Sequence, residues 1–276
     1  MNLPNLIIPG ASRSGTSFLF GILKQHPQIF TPPIKELQFF EKEIEYTKGM
    51  SHYSNHFKGS ECYDVRMESS PPYFHKGILI DEQGKHKFNE QDDAVSRIAK
   101  HLPDAKILIT LRNPIERLYS QYNKNYFQGK ETESFRDALS LEKKGQRTPD
   151  KSPLCWIYKN QYSIHLKHWF DHFPKENIKI IIFEDWIKNK KVIEEEVMDF
   201  LNIEQFKFNY ELGKNTGSSY AKRRKWKFNP FGVFKKKTYS KISKSQFELL
   251  RTILIEDIKD TEKLLSLDLK HWLNYE

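Results

Sequence analysis

From Gly10 to Ser17 the chain reads Gly-Ala-Ser-Arg-Ser-Gly-Thr-Ser, a run whose residue types are suited to holding an anion. Gly10 and Gly15 allow a tight turn, and Ser12, Arg13, Ser14, Thr16 and Ser17 supply hydroxyls and a guanidinium. Leu6, Ile7 and Ile8 before it read as a short buried strand, and Leu19, Ile22 and Leu23 after it share one helical face. Pro9, with no N–H to donate, predicts the end of the strand. A turn from strand to helix leaves the first helical amides unpaired and aimed at one point, with the positive end of the helix dipole behind them. Phosphate or sulfate suits such a point, and Arg13 adds a permanent charge and a two-pronged donor. The run is not a Walker A loop, because Thr16 stands where G-x-x-x-x-G-K-[ST] requires lysine. A P-loop nucleotide kinase, which would need magnesium, is therefore the weaker reading of the turn.

A second constellation lies at 112–122. Asn113 is placed to cap a helix over 114–127, Pro114 suits its first position, and Glu116 sits where a capping-box acid reaches back. Ile115, Leu118, Tyr119 and Tyr122 make its buried stripe, and Ser120 lies roughly 140° round the wheel from Ile115. Arg112 stands at the carboxyl end of a strand, the edge at which open α/β sheets bind ligands, so it is expected to share a crevice with the Gly10–Ser17 turn.

The elements that must position these groups alternate. Strand patterns fall at 5–8, 63–67, 105–111 and 178–183, and helical patterns at 15–26, 93–102, 114–127, 154–173 and 188–202. That order predicts an α/β fold of three layers, a central parallel sheet with helices on both faces and the anion-binding, P-loop-like turn after the first strand. One domain over 1–276 is expected. A loop or lid is expected at 214–244, and the helical pattern returns from Ser245 with Phe247, Leu250, Ile253 and Leu254.

The formal net charge of +9 is local. Between Lys214 and Lys244 there are eleven Lys or Arg and no acid, which leaves 34 basic against 36 acidic residues elsewhere. This patch fits an anionic ligand, polymer or membrane surface, and a non-catalytic binder of anionic polymers is the alternative it raises. Phe228, Phe231 and Phe234, set between two lysine clusters, would suit an interfacial segment for a lipid-linked acceptor. Cys62 and Cys155 cannot build a disulfide framework and read as reduced packing residues. His52/His56 and His168/His172 have H-x-x-x-H spacing without the glutamate of a zinc hydrolase, so no metal is expected. No apolar run reaches the ~20 residues of a membrane span, which predicts a cytoplasmic protein if bacterial, and a Golgi-lumenal one only if an anchor has been removed.

Together the turn and Leu-Arg-Asn-Pro-Ile-Glu-Arg-Leu-Tyr-Ser-Gln-Tyr (111–122) resemble the sulfotransferases that use 3′-phosphoadenosine-5′-phosphosulfate (PAPS), in their bacterial and Golgi-type carbohydrate branch. Further segments carry the same likeness in order: His26-Pro27, then Lys35-Glu36-Leu37-Gln38-Phe39-Phe40, Glu68-Ser69-Ser70-Pro71-Pro72-Tyr73, Phe183-Glu184-Asp185 and Trp272. The resemblance implies that Ser12, Arg13, Ser14, Gly15, Thr16 and Ser17 hold the 5′-phosphosulfate and that Arg112 and Ser120, eight apart, hold the 3′-phosphate. It implies Glu36 as general base, Arg13 and Lys35 as charge stabilisers in the catalytic set, and Lys222 and Arg223 as lid contacts to the donor. The product would be adenosine 3′,5′-bisphosphate (PAP), and the acceptor a hydroxyl or amine of a carbohydrate or glycolipid, with no nucleic-acid partner. His75 is the alternative base. Two departures stand out: Arg13 replaces the loop lysine of many members, and Ser69 replaces the lysine of E-K-[ST]-P.

Overall fold

A computed structural model describes residues 1–213 and 241–275. Five strands form one parallel sheet in the order β2 (Ile29–Phe30), β3 (Val65–Ser69), β1 (Leu6–Gly10), β6 (Lys106–Leu111) and β7 (Ile178–Ile182). Side chains alternate along a strand, so Leu6 and Ile8 enter one apolar cluster and Ile7 the other. On the first face lie α1 (Thr16–Leu23), α8 (Phe183–Lys188) and α9 (Lys190–Leu201), packed through Leu19, Ile22, Trp186 and Met198. On the second lie α4 (Ala94–His101), α5 (Pro114–Phe127), α7 (Tyr162–His172) and α11 (Lys244–Leu265), packed through Ile98, Leu118, Trp169 and Leu254. Both faces are covered, which is why β1, β6 and β7 read as nearly unbroken apolar runs.

Several boundaries differ from the sequence reading, each for a local reason. β1 runs through Pro9 to Gly10, because the proline sits where the β1–β6 register shifts between Ile7 and Gly10 and no ladder donor is needed. Phe183 opens α8 rather than ending a strand, and the helix expected at 188–202 begins at Lys190. The helix expected from 154 starts only at Tyr162, where Asp257 of α11 accepts from the amides of Tyr162 (2.7 Å) and Ser163 (3.1 Å). Asn113 does cap α5, accepting from the Ile115 amide at 3.0 Å, but Glu116 does not reach back. Glu184 takes the Asn113 amide instead (3.0 Å), since Arg112 draws Glu116 into an ion pair at 2.5 Å. The 74–92 stretch contains an antiparallel hairpin, β4 (Ile78–Ile80) with β5 (His86–Phe88), too short to announce itself by alternation. At the far end of the basic segment, Ser243 caps α11 with Gln246 completing a capping box, so Lys244 is helical; residues 214–240 lie outside the described residues. Cys62 is exposed, not packed, whereas Cys155 is buried; both are free thiols.

Gly10 holds a φ of +150°, and a Cβ there would stand 2.7 Å from Phe74 Cβ and 3.0 Å from the Pro71 carbonyl. Neither neighbour is a flexible side-chain end. Gly10→Ala is therefore expected to cost about 2 kcal/mol of stability or more, read as a lowered urea midpoint; an unchanged midpoint would show that the β1 terminus relaxes freely.

Candidate active site

The turn after β1 is held from behind. Arg117 of α5, fully buried, donates from Nε to the Ser12 carbonyl at 2.7 Å and from Nη1 to the Lys159 carbonyl and Asn160 Oδ1. Gly15, at φ +87°, precedes α1, and a Cβ there would press within 2.8 Å of the Phe183 ring. The amides opening α1 have no intrahelical acceptor, an arrangement that suits an anion. Ser14 and Thr16 are buried, while Arg13 is exposed with φ +72°.

Arg13 reaches across to α5, donating to Ser120 Oγ from Nε (3.0 Å) and Nη2 (2.9 Å). The two motifs are thus joined, through Arg13 and Ser120. Arg112 is placed differently. Its guanidinium pairs with Glu116 and lies over the Phe183 ring, 5.6 Å from the centroid, in a separate recess with Glu184, Lys188 and Trp272. Phe183 therefore contacts both the Gly15 side of the turn and Arg112. Residues 116 and 120 follow one row along the helix, and Ser120 stands about 9 Å along the axis from Pro114, the first residue of α5, beyond which Arg112 lies.

Lys35 and Glu36 lie in the loop following β2. Lys35 Nζ donates to Ser17 Oγ at 2.7 Å and stands 3.5 Å from Glu36 Oε1, which sets the carboxylate beside the end of the turn. Burial lowers the Lys35 ammonium from its ordinary value, and Glu36 opposes that shift. Glu36 (φ +62°) and Gln38 (φ +53°) are non-glycine residues in left-handed backbone. Such a conformation persists only where neighbours over-determine it. Here the Gln38 amide donates to Ser70 Oγ (3.0 Å), the Ser70 hydroxyl to Glu68 (2.5 Å), and the Phe40 amide to the Tyr73 hydroxyl (3.3 Å). Tyr53 also donates to Glu68, at 2.7 Å. Glu68 is wholly buried, and burial pushes its carboxyl up to about 7 against the hydrogen bonds it receives.

Beside Arg13 opens a cleft of about 590 Å³, shaped by Gln38, Glu41, His75, Lys124, Trp156 and Lys159 among others. Burial raises Glu41 to about 7, with Lys159 opposing. Lys159 donates to the Pro153 carbonyl at 2.7 Å, and burial lowers its ammonium. Arg117, Glu41 and Lys159 were not singled out by sequence. Arg117 lies roughly 200° round the wheel from Ile115, the side that amphipathicity assigns to solvent. It is buried because residues 159–160 cover that side. Glu41 carried no signal beyond following Phe39-Phe40.

Of the pair His168/His172, both rings are engaged, His172 Nδ1 lying 2.9 Å from the His168 carbonyl, and the neighbouring His165 is engaged as well. His168 Nε2 lies 2.8 Å from Asp93, and both nitrogens of His165 are used, by the Lys76 amide and the Tyr158 carbonyl. Glu184 and Trp272 act structurally here: Trp272 donates to Glu184, and Asn113 Nδ2 donates to the Trp272 carbonyl. Lys222, Arg223 and the three lid phenylalanines lie outside the described residues.

Residues 4–207, most of the chain, match the sulfotransferase family. The chain belongs to that family. Human heparan sulfate glucosamine 3-O-sulfotransferase 3B1 is 25% identical over 255 residues, covering 90% of this chain and 60% of that protein. Human bifunctional heparan sulfate N-deacetylase/N-sulfotransferase 3 is 26% identical over 215 residues, 73% of this chain and 22% of that protein. This sulfotransferase-family chain thus spans less than two thirds of these curated relatives. A sulfotransferase crystal structure from Alicyclobacillus acidocaldarius superimposes with a TM-score of 0.75 at 25% identity, covering 99% of this chain and all of that one. Mouse SULT7A1 complexed with PAP shares the fold, with a TM-score of 0.52 at 16% identity over 95% of this chain and 88% of that one. No described helix is long and apolar enough to cross a membrane.

The Glu68 carboxyl titrates near 7 in the fold against 4.5 when exposed. A raised carboxyl contributes stability that is complete below about pH 4.5 and lost as pH rises through 7. Glu68→Gln removes that dependence, so stability relative to wild type should shift by about 3 kcal/mol in the variant's favour between pH 4.5 and 8. Denaturant titrations at the two pH values measure it, and a constant gap would refute the buried, protonated form.

Proposed function

We propose that the protein is a PAPS-dependent sulfotransferase whose acceptor is a hydroxyl or amine of a carbohydrate or glycolipid. The observation that carries this reading is Lys35, which bridges Ser17 of the anion turn and the Glu36 carboxylate. One cation thus ties an anion-binding turn to a potential base. In this reading the turn amides, Ser12, Ser14, Thr16 and Ser17 hold the 5′-phosphosulfate, and Arg13 balances charge growing on its bridging oxygen. Ser120 receives the 3′-phosphate together with Arg112, whose guanidinium leaves Glu116 to reach it, with Lys222 and Arg223 completing the donor site. Arg13 and Ser120 are hydrogen-bonded to each other, so the two phosphate-binding groups answer to one another.

The donor supplies a sulfuryl group with a good leaving group. Glu36 accepts the proton of the acceptor as its oxygen or nitrogen bonds to sulfur, and the bond from sulfur to the bridging oxygen breaks to release PAP. Lys35 neutralises the sulfuryl oxygens during transfer. A positioned general base of this kind is worth roughly 10²–10⁴ in rate. The relatives' names support a glycan acceptor and include both O- and N-sulfotransferases.

Calorimetry should show binding of adenosine 3′,5′-bisphosphate far tighter than of adenosine monophosphate, which lacks the 3′-phosphate. Glu36→Gln should retain that binding and lose roughly 10²–10⁴ in labelled-sulfate transfer to a glycan and glycolipid panel. Full transfer by the variant removes Glu36 from its role.

A further inference from the structure

Three polar atoms in the cleft beside Arg13 are shut away from solvent without a hydrogen-bond partner: Glu41 Oε2, His75 Nδ1 and His86 Nδ1. Glu41 is 4% and His75 5% exposed. Buried polar groups are paired in the great majority of cases, and an orphan costs free energy, so three in one cleft call for a ligand; Glu41 and His75 are the two on residues more than nine-tenths buried. The transferase reading uses neither residue.

The surroundings define what that ligand is. Around His75 stand the Phe74 and His165 rings, with Arg117 and Lys159 behind, and His165 has both nitrogens committed elsewhere. No carboxylate is among these neighbours, and burial holds the imidazole well below its ordinary range, so it is uncharged. Glu41 faces Lys159, which is itself tied to Pro153. With the Arg117 guanidinium committed to the Ser12 and Lys159 carbonyls and Asn160 Oδ1, the inner cleft sets one carboxyl against one ammonium beside the uncharged rings of His75 and His86. The exposed Arg13, Lys124 and Lys130 lie toward solvent. Pro72, Ile78, Ile80 and Trp156 supply apolar wall.

We propose that Glu41 and His75 form a subsite in the inner cleft that seats an uncharged, polyhydroxylated ring of the acceptor, reading hydroxyls other than the one that is sulfated. The proposal rests on the transferase reading above and narrows its acceptor. A hydroxyl both donates and accepts, so it satisfies a carboxyl and either tautomer of an imidazole. An anionic substituent would meet the Glu41 carboxyl. The carbon faces of such a ring match the apolar wall and the Trp156 indole. A site built to bond a hydroxyl also discriminates sharply, because its own polar groups are stranded when the wrong group enters.

The test uses the full chain and two matched probes, 4-nitrophenyl β-glucoside and its carboxylate counterpart 4-nitrophenyl β-glucuronide. Calorimetry with adenosine 3′,5′-bisphosphate comes first and judges the donor reading alone. With that nucleotide bound, the ¹⁵N-labelled imidazole of His75 is followed by NMR as each glycoside is added. The His75 signals should move with the glucoside, which should bind roughly tenfold tighter than the glucuronide. His75→Phe should weaken glucoside binding roughly tenfold and leave bisphosphate binding unchanged. Should that variant fail to fold, His75→Asn and the wild-type spectrum decide. Silent His75 signals, a preference for the glucuronide, or unchanged glucoside affinity in the variant overturns the subsite.

Discussion

The site depends on the Arg117 guanidinium, which has left solvent to hold backbone carbonyls together. Its bond to the Ser12 carbonyl fixes the turn after β1, and its bonds to Lys159 and Asn160 fix the chain that walls the cleft. Burying a charge is costly unless its donors are satisfied, so these strands of chain are not independent. Moving any one of them would strand a further donor of this buried cation, whose Nη2 already has no hydrogen-bond partner among the described residues. The anion turn, α5 and the cleft wall are consequently one unit.

A second unit carries Glu36. Its left-handed backbone and that of Gln38 are not intrinsic preferences of glutamate and glutamine. They are imposed by the Gln38–Ser70–Glu68–Tyr53 chain of hydrogen bonds, which ends on a carboxyl buried under the β3 end. The Glu-Ser-Ser-Pro segment thus serves the neighbouring loop rather than a ligand in this structure. Lys35 is the tie between the two units, since it touches both Ser17 and Glu36.

The pairing of Arg13 with Ser120 changes how the two phosphate motifs relate. They are in direct contact, with Arg112 held apart by Glu116 and Phe183. A donor that engages either Ser120 or Arg13 competes with their mutual bonds. In the proposed function, occupation of one phosphate site therefore bears on the other through a single side chain. The same Phe183 ring that excludes a Cβ at Gly15 supports Arg112, which gives the recess and the turn a common wall.

Four strands of the sheet, the glycine turn and the α5 cap were legible from residues alone, because each follows from local rules: short apolar runs, a glycine turn before a helix, and Asn-Pro at a helix start; the two-residue β2 is too short to carry such a signal. Glu36, Ser120 and the phosphate role of Arg112 could be named only through the family resemblance, and not what each touches. Arg117 and Glu41 were invisible for a different reason. Their importance comes from burial by distant segments, and periodicity reports only a helix's own faces. The start of α7 was misplaced on the same account, since its cap is Asp257, 95 residues away. Local sequence decides which elements form and where their donors point; only packing of chain remote in sequence decides which charges lose water and which polar atoms are left unpaired.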